Sequence, residues 1–371
     1  MSDPRSDRPA ALSQQRLPWW GPDLQTLRDT LRPQRQAPDG ANSITIDLGA
    51  GEALLARTTR PQGQQLAGLV VVVHGLGGCS EGQGIRRLAH HLHAAGFAVL
   101  RLNLRGAGAG RCLASGTYAA LCNRDLLPAL SRARQLAEQL ADAQGSPRRA
   151  VPLFGVGLSL GGTVLLNGLL ERSAPLEQAA PAQLLSQPSS TPQPLLDGLV
   201  CVSSPLDLLG CAEQFDRPRN RLYRRWVLKR LRQLTLADPQ GVSPQERSIL
   251  TGPGRVRSLQ AFDAGITAPR WGHASMAAYY AAASPLPRLQ AAVAAGAALP
   301  PTLLIHAADD PWVPVAATRQ LAAATQQYAC TWLETLIPAH GGHNGFHSRA
   351  DDPKASWADR QTADWLNRRL G

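Results

Sequence analysis

The chain has 371 residues, 44% hydrophobic and 18% charged, which is the composition of a folded globular protein and not of a disordered one. Its formal net charge is +11, yet no zinc-finger spacing or aromatic-interleaved RNA motif accompanies the basic residues, so we expect no nucleic-acid partner. No apolar run approaches the roughly 18 residues of a membrane-spanning helix. Residues 1–16 also lack the apolar run of a secretory signal, which predicts a disordered N-terminal tail and a cytoplasmic protein.

Apolar runs separated by helical patterns recur along the chain. Residues 43–48 and 53–58 predict an antiparallel pair at the front edge of a sheet. Residues 69–73 form a continuous β-branched run, typical of a strand buried on both faces of a parallel sheet, and 97–102 repeat it after a helical stretch at 85–95. Further strands are predicted at 153–156, 199–202, 303–305 and 332–337, and helices at 121–140 and 357–370. The alternation predicts a doubly wound, mostly parallel α/β sheet.

Two segments interrupt this alternation. Residues 173–194 are rich in Pro, Gln and Ser and predict a linker-like insertion. Residues 205–285 contain no strong strand, and we predict that they form a mostly helical cap inserted between two strands of the sheet. Because the cap is an excursion from the sheet, residues 17–371 are predicted to form a single domain.

The strongest local motif is Gly157-Leu158-Ser159-Leu160-Gly161, followed by Gly162. It follows an apolar strand and precedes a helical run, which is the strand–turn–helix setting of a nucleophile elbow. Such a turn needs glycine at the flanking positions and leaves the serine hydroxyl exposed at the end of the strand. The pattern predicts that Ser159 is a nucleophile; the alternative is a glycine-rich packing turn.

A serine hydroxyl needs a base within hydrogen-bond reach, and in this type of site the chain order is nucleophile, acid, histidine. Asp310 lies after a late strand in a turn closed by proline, and we predict that it is the acid. Asp309 is the alternative acid, and a solvated turn aspartate is the non-catalytic one. His343 stands among glycines beyond the last strand, and we predict that it is the general base and then the general acid.

His340, His343 and His347 together also raise the possibility of a zinc site. No carboxylate or thiolate pattern completes such a site, so we predict no metal and no cofactor. The six cysteines include no CxxC pair and are expected to be free thiols.

A tetrahedral intermediate requires two backbone donors for its oxyanion. One is predicted to be the amide of Leu160, directly after the nucleophile, and the other the amide of Leu76, in the loop after the third strand. His74 at the start of that loop is predicted to be a structural histidine that braces it.

Taken together, the motifs resemble the YheT-like branch of the α/β-hydrolases, the AB hydrolase 4 family. The resemblance runs from about Leu17 to about His347. Its segments are Leu24-Gln25-Thr26, His74-Gly75-Leu76-Gly77-Gly78, Asn103-Leu104-Arg105-Gly106, Gly157–Gly162, Phe262-Asp263, Ile266-Thr267-Ala268-Pro269, Tyr279-Tyr280, Asp309-Asp310-Pro311 and Gly341-Gly342-His343-Asn344-Gly345-Phe346. The sequence departs from the family at Asp23, where a histidine usually precedes Leu-Gln-Thr.

The resemblance implies an α/β-hydrolase fold with a helical cap, in which Ser159, Asp310 and His343 are the charge-relay residues. It implies hydrolysis of carboxylic esters, with short- or medium-chain acyl esters or monoacylglycerols as substrates. An acyltransferase or a thioesterase would use the same residues, and a catalytically idle scaffold with this fold is the third alternative. The sequence does not indicate the oligomeric state.

The expected binding partner is a small-molecule ester or lipid. The basic stretch 217–236 has apolar positions at helical spacing, which predicts a cap helix whose charges are solvated. The alternative is that its basic face makes weak peripheral contact with an anionic membrane surface.

Overall fold

One eight-stranded sheet organises the computed structural model, which describes residues 15–33, 38–61, 66–143, 151–172, 194–349 and 355–370. The predicted tail (1–16) and the predicted insertion (173–194) lie almost wholly outside these residues. The strands are β1 (Asn42–Gly49), β2 (Glu52–Thr59), β3 (Gly68–Val73), β4 (Phe97–Leu102), β5 (Leu153–Leu158), β6 (Gly198–Val202), β7 (Thr302–Ile305) and β8 (Leu333–Leu336). Their order is β1-β2-β4-β3-β5-β6-β7-β8. As predicted, β1 and β2 are an antiparallel pair at one edge, and the strands from β4 to β8 are parallel.

Helices cover both faces of the sheet and bury its strands. They are α1 (Gly21–Leu31), α2 (Gln83–Ala94), α3 (Asn123–Ala143), α4 (Leu160–Arg172), α5 (Leu208–Asp216), α6 (Arg221–Leu236), α7 (Pro244–Leu250), α8 (Leu259–Phe262), α9 (Ala268–Arg270), α10 (Met276–Ala283), α11 (Leu286–Ala294), α12 (Ala316–Gln327) and α13 (Trp357–Asn367). Helices α1, α11 and α12 were not predicted.

The side chains of β3 are buried on both faces of the sheet, which explains the unbroken apolar run in its sequence. Val71 and Val73 pack into a core with α3 and α4, whereas Val70 and Val72 pack into a second core with α2 and α13. Successive side chains of a strand point to opposite faces, so a strand covered on both faces must be apolar at every position. The fold thereby holds the carboxyl ends of β3, β5, β7 and β8 along one edge of the sheet.

Between β6 and β7 the chain forms helices α5–α11, which include the region predicted as a cap. We call residues 208–283 the helical insertion. Its helices share a small apolar core of their own, which includes Phe215, Val227, Leu231 and Phe262. A π-helical turn, Asp263–Thr267, lies within the helical insertion between α8 and α9. Such turns are rare and frequently occur at functional sites.

Candidate active site

Ser159 stands at the tight turn between β5 and α4. Its backbone φ is +53°, a left-handed conformation that a non-glycine residue adopts only when its surroundings enforce it. A Cβ added at Gly157 would overlap the backbone of Gly162, and one added at Gly161 would overlap the carbonyl oxygen of Val73. The glycines of the motif are therefore needed for close packing, as expected for a nucleophile elbow and not for an ordinary turn.

The structure brings the three predicted residues into one hydrogen-bonded chain. His343 Nε2 lies 2.9 Å from Ser159 Oγ, and His343 Nδ1 lies 2.9 Å from Asp310 Oδ2. The other carboxylate oxygen of Asp310 accepts hydrogen bonds from the backbone amides of Trp312 (2.8 Å) and Val313 (2.9 Å). The indole of Trp312 packs on the imidazole of His343 with ring centroids 4.5 Å apart. Both the carboxylate and the imidazole are thus held in fixed orientations.

The charge state of Asp310 follows from its surroundings. Burial alone would raise its pKa, but the charge and hydrogen bond of His343 outweigh burial and hold the pKa below its ordinary value. Behind it lies His306, whose Nε2 is 3.7 Å from Asp310 Oδ2 and donates to the carbonyl of Val313. Burial lowers the pKa of His306, so this second histidine is neutral. Asp310 is therefore the ionised member of the site at neutral pH.

Asp309 and the other two histidines have separate contacts. Asp309 accepts a hydrogen bond from the Gly342 amide at 2.9 Å and lies 3.3 Å from His340 Nδ1. Burial lowers the pKa of His347 to about 2. Within the described ranges, no group of three or more His, Cys, Asp or Glu side chains is arranged to hold a metal ion. The six cysteines are free thiols.

Of the two predicted oxyanion donors, Leu160 directly follows Ser159, and Leu76 belongs to the loop after β3. Leu160 is the first residue of α4, where a helix provides no acceptor for the backbone amide. The amide of Leu76 donates no hydrogen bond to any residue that the structure describes. The loop is close, since a Cβ added at Gly75 would lie 2.9 Å from Ser159 Cβ. His74 braces it: Nδ1 donates to Gly75 O (2.8 Å), Nε2 accepts from Leu104 N (3.2 Å), and burial lowers its pKa to about 4.

Helix α1 supplies residues that sequence reasoning missed. Thr26 Oγ1 accepts a hydrogen bond from the amide of His343 at 2.8 Å. Gln25 accepts from the amide of His347 at 2.7 Å and donates to its carbonyl at 2.9 Å. The loop around His343 is rich in glycine and needs such external contacts to have one conformation. Leu24-Gln25-Thr26 was recognised as part of the family resemblance, but these residue types do not by themselves indicate a role in the site.

The side chain of Ser159 opens onto a cavity of about 560 Å³. A volume of this size is typical of a site for a small organic molecule. Its walls are mostly apolar and come from the loop after β3 and from the helical insertion. They include Leu76, Phe215, Val227, Leu231, Leu259 and Phe262.

Comparison with known proteins identifies the family. Residues 70–359 match the model of the alpha/beta hydrolase family, and the chain belongs to that family. It is 28% identical over 218 residues to "Putative esterase YheT" of Escherichia coli (strain K12), covering 58% of this chain and 55% of the relative. It is 26% identical over 324 residues to "Medium-chain fatty acid ethyl ester synthase/esterase 2" of Saccharomyces cerevisiae, covering 81% of this chain and 62% of the relative. The chain is a YheT-like member of the family, as its motifs predicted.

Among solved structures, the fold is similar to "Brefeldin A esterase, a bacterial homologue of human hormone sensitive lipase". The TM-score is 0.56 at 17% identity, over 94% of this chain and 82% of that chain. At this identity the likeness shows the fold alone. The matched segments span less than two thirds of the curated relatives, 55% of YheT and 62% of the yeast protein.

Proposed function

We propose that this protein hydrolyses carboxylic esters through an acyl-serine intermediate. Ser159 is the nucleophile, His343 the general base and acid, and Asp310 the carboxylate that orients the imidazole. The amides of Leu76 and Leu160 stabilise the oxyanion. The observation that carries the proposal is the hydrogen-bonded chain from Asp310 through His343 to Ser159, which ends at the mostly apolar cavity.

The steps follow from these positions. Ser159 Oγ attacks the ester carbonyl carbon while its proton passes to His343 Nε2. The resulting alkoxide oxygen is held by the two free backbone amides until the carbon–oxygen bond to the alcohol breaks. The alcohol leaves with the proton from His343. Water then repeats the sequence on the acyl-serine, and the carboxylic acid is released. The buried carboxylate of Asp310 stabilises the imidazolium that forms in each half.

The cavity supports short- or medium-chain acyl groups, including monoacylglycerols, as substrates. Its volume of about 560 Å³ accommodates a medium-sized acyl ester, and its mostly apolar walls can bury an alkyl chain. Acyl transfer to an alcohol, or hydrolysis of a thioester, would use the same intermediate. Acyl transfer to an alcohol is favoured by one specific observation, the synthase/esterase name of the yeast relative.

A fluorophosphonate probe tests the activated serine, and a series of p-nitrophenyl esters of increasing acyl length tests the substrate range. We expect labelling and turnover in the wild type, and loss of both in Ser159→Ala, since removing a triad member lowers turnover by a factor of about a million. A catalytically idle scaffold predicts no labelling of either protein. Esterase activity that persists in purified Ser159→Ala would reject the assignment. Adding an alcohol acceptor and measuring ester synthesis separates transfer from hydrolysis.

Helix α6 also supports contact with a membrane surface. The mouth of the cavity is marked by those of its lining residues that are exposed. They lie on α1, just after α1, on α2 and on α6, and they are Thr30, Pro33, Gln83, Trp226 and Arg230. Beside this mouth, α6 leaves Leu222 73% exposed and Trp226 44% exposed. No helix in the described part of the chain is long and apolar enough to cross a bilayer.

Basic side chains flank these exposed apolar residues. Arg221, Arg225 and Lys229 are exposed, and none forms an ion pair with a residue that the structure describes. Arg224 differs, since its guanidinium pairs with Asp216 at 3.7 Å. A helix with exposed apolar residues between unpaired cations suits the interface of an anionic membrane. We therefore include weak peripheral binding through 217–236 in the proposal; the alternative is a solvated face.

Liposome co-sedimentation at low salt distinguishes these two possibilities. Each basic residue near an anionic surface contributes about 1 kcal/mol, so Arg221/Arg225/Lys229→Gln should weaken binding about 100-fold. The matched control neutralises three exposed arginines elsewhere, Arg60, Arg319 and Arg368. Equal binding by both variants, or binding that persists without anionic lipid, would leave only the solvated face.

A further inference from the structure

One wall of the active-site cavity carries an acidic group among apolar neighbours. Asp263 lines the cavity from the π-helical turn of the insertion, and Thr267, Tyr279 and Tyr280 line it nearby. Thr267, Tyr279 and Tyr280 are buried and Asp263 is half-buried, so the group lies away from the exposed mouth. The triad does not include any of them.

Two hydroxyl groups hold the carboxylate in place. Asp263 Oδ1 accepts a hydrogen bond from Thr267 Oγ1 at 2.6 Å, and Oδ2 accepts one from the Tyr280 hydroxyl at 2.8 Å. Each oxygen of an ionised carboxylate can accept two hydrogen bonds. One acceptor site on each oxygen therefore stays available, at a residue that borders the cavity.

No cation compensates this carboxylate among the described residues. Burial raises the pKa of Asp263 to about 6, its two hydrogen bonds lower it, and the nearby charge of Asp216 raises it. The thiol of Cys211 and the hydroxyl of Tyr279 are further titratable groups close enough to interact with it. Burying an unpaired charge is costly, and neutral side chains could join α10 to the π-turn at less cost. What a neutral residue at this position would lack is a charged hydrogen-bond acceptor on the cavity wall.

We propose that Asp263 is a recognition site for a hydroxyl group on the substrate, so that the enzyme prefers esters bearing a free hydroxyl over plain alkyl esters. This inference rests on the proposed esterase function and specifies its substrate class. A hydroxyl that reaches the carboxylate makes a charge-assisted hydrogen bond. A plain alkyl group there removes water from the carboxylate and offers no donor in return.

The preference should be about 10- to 100-fold in kcat/KM, the range for one hydrogen bond to a charged group. The hydroxyl can stand on the alcohol half or on the acyl half of the ester, and matched pairs separate the two. Glycerol mono-octanoate against propyl octanoate varies the alcohol half. The p-nitrophenyl esters of ω-hydroxyoctanoate and octanoate vary the acyl half. A preference in either pair supports the site and assigns the half. Equal rates in both pairs overturn it, whereas no hydrolysis of any ester overturns the proposed function instead.

Two variants distinguish recognition from a purely structural role. Asp263→Asn removes the charge, and Tyr280→Phe removes the donor while keeping the carboxylate. Tyr280→Phe removes one of the two hydroxyl contacts of the carboxylate, and the single amide oxygen of Asp263→Asn can accept from only one of the two hydroxyls, so a structural role predicts similar changes in both. Recognition predicts that the hydroxyl preference falls towards one in Asp263→Asn and is kept or increased in Tyr280→Phe. Equal preference ratios in the two variants would contradict the inference.

A measurement on the wild type covers the case in which Asp263→Asn does not fold. The ratio of kcat/KM for the preferred pair should fall as the pH is lowered through about 6, because protonated Asp263 loses its charge. Any pH effect on the bond-breaking chemistry that both substrates of a pair share cancels in the ratio. A ratio that is constant from neutral pH to well below the pKa of Asp263 would reject the site.

Discussion

Replacing Asp310 with Asn should inactivate the enzyme through the tautomer of His343. One oxygen of Asp310 accepts two backbone hydrogen bonds, from Trp312 at 2.8 Å and Val313 at 2.9 Å. An amide nitrogen cannot accept them, so the oxygen of the new side-chain amide must take that position and its NH2 group must face His343. The imidazole then accepts at Nδ1 and carries its proton on Nε2, where it can no longer receive the proton of Ser159.

The expected loss is large because the geometry leaves no other arrangement. Turning the amide round would restore the tautomer but would set its NH2 group against two backbone N–H donors, in a buried site. The same substitution in a comparable triad lowers kcat by about 10⁴-fold, which corresponds to about 5.4 kcal/mol in the activation free energy.

The assay is kcat on a p-nitrophenyl ester, with Asp309→Asn as the matched control. Asp309 contacts the Gly342 amide and His340 and does not contact His343, so its amide variant should keep most of the activity. Melting temperatures of the three proteins exclude unfolding as the cause. If Asp309→Asn were the more damaged variant, the acid would be Asp309 and this reasoning would be refuted.

Three further predictions concern the frame of the site. Gly161→Ala should destabilise the fold by about 2 kcal/mol or more in urea denaturation, because its Cβ overlaps Val73 O; unchanged stability would contradict the elbow packing. Thr26→Val should lower kcat about 5- to 30-fold with KM unchanged, and Thr26→Ser should restore it; a loss shared by both variants would argue against the hydrogen bond to His343. Ion pairing outweighs burial and lowers the pKa of Asp29 to about 2, so stability should fall by about 2 kcal/mol from pH 4 to 2. Asp29→Asn should lack this part of the acid sensitivity, and an identical pH profile in both proteins would count against it.

The sheet and the tight turn at Ser159 were predictable because packing constrains their sequences. Strands covered on both faces require uninterrupted apolar runs, and residues 69–73, 97–102 and 153–156 therefore indicated β3, β4 and β5. The tight turn also requires glycine where the backbone of α4 meets β3, so the glycine at position 161 helped to identify the turn that contains Ser159. Chain order and the ends of the late strands then indicated Asp310 and His343.

Helix α1 was not predictable by the same reasoning. Its buried residues are Gln25 and Arg28 and not an apolar stripe, so hydrophobic periodicity gives no helix signal. Its partners are backbone atoms of a loop more than 300 residues later, as in the contact of Gln25 with His347. Polar side chains that bond to a distant backbone have no spacing rule, because any exposed turn could contain the same residues.

The position of Asp23 connects this missed helix to the insertion. Its carboxylate accepts hydrogen bonds from the Tyr223 hydroxyl at 3.0 Å and from Arg219 at 2.9 Å, both from the region of α6. Less than one turn along α1, Thr26 accepts from the amide of His343. One short helix therefore contacts both the region of α6 and the loop of His343. The acid at position 23 pairs with the basic region of α6 in the insertion. Position 26 is the one that contacts the loop of His343. The departure from the family motif at Asp23 therefore changes a contact with the insertion and leaves Ser159, Asp310 and His343 unaffected.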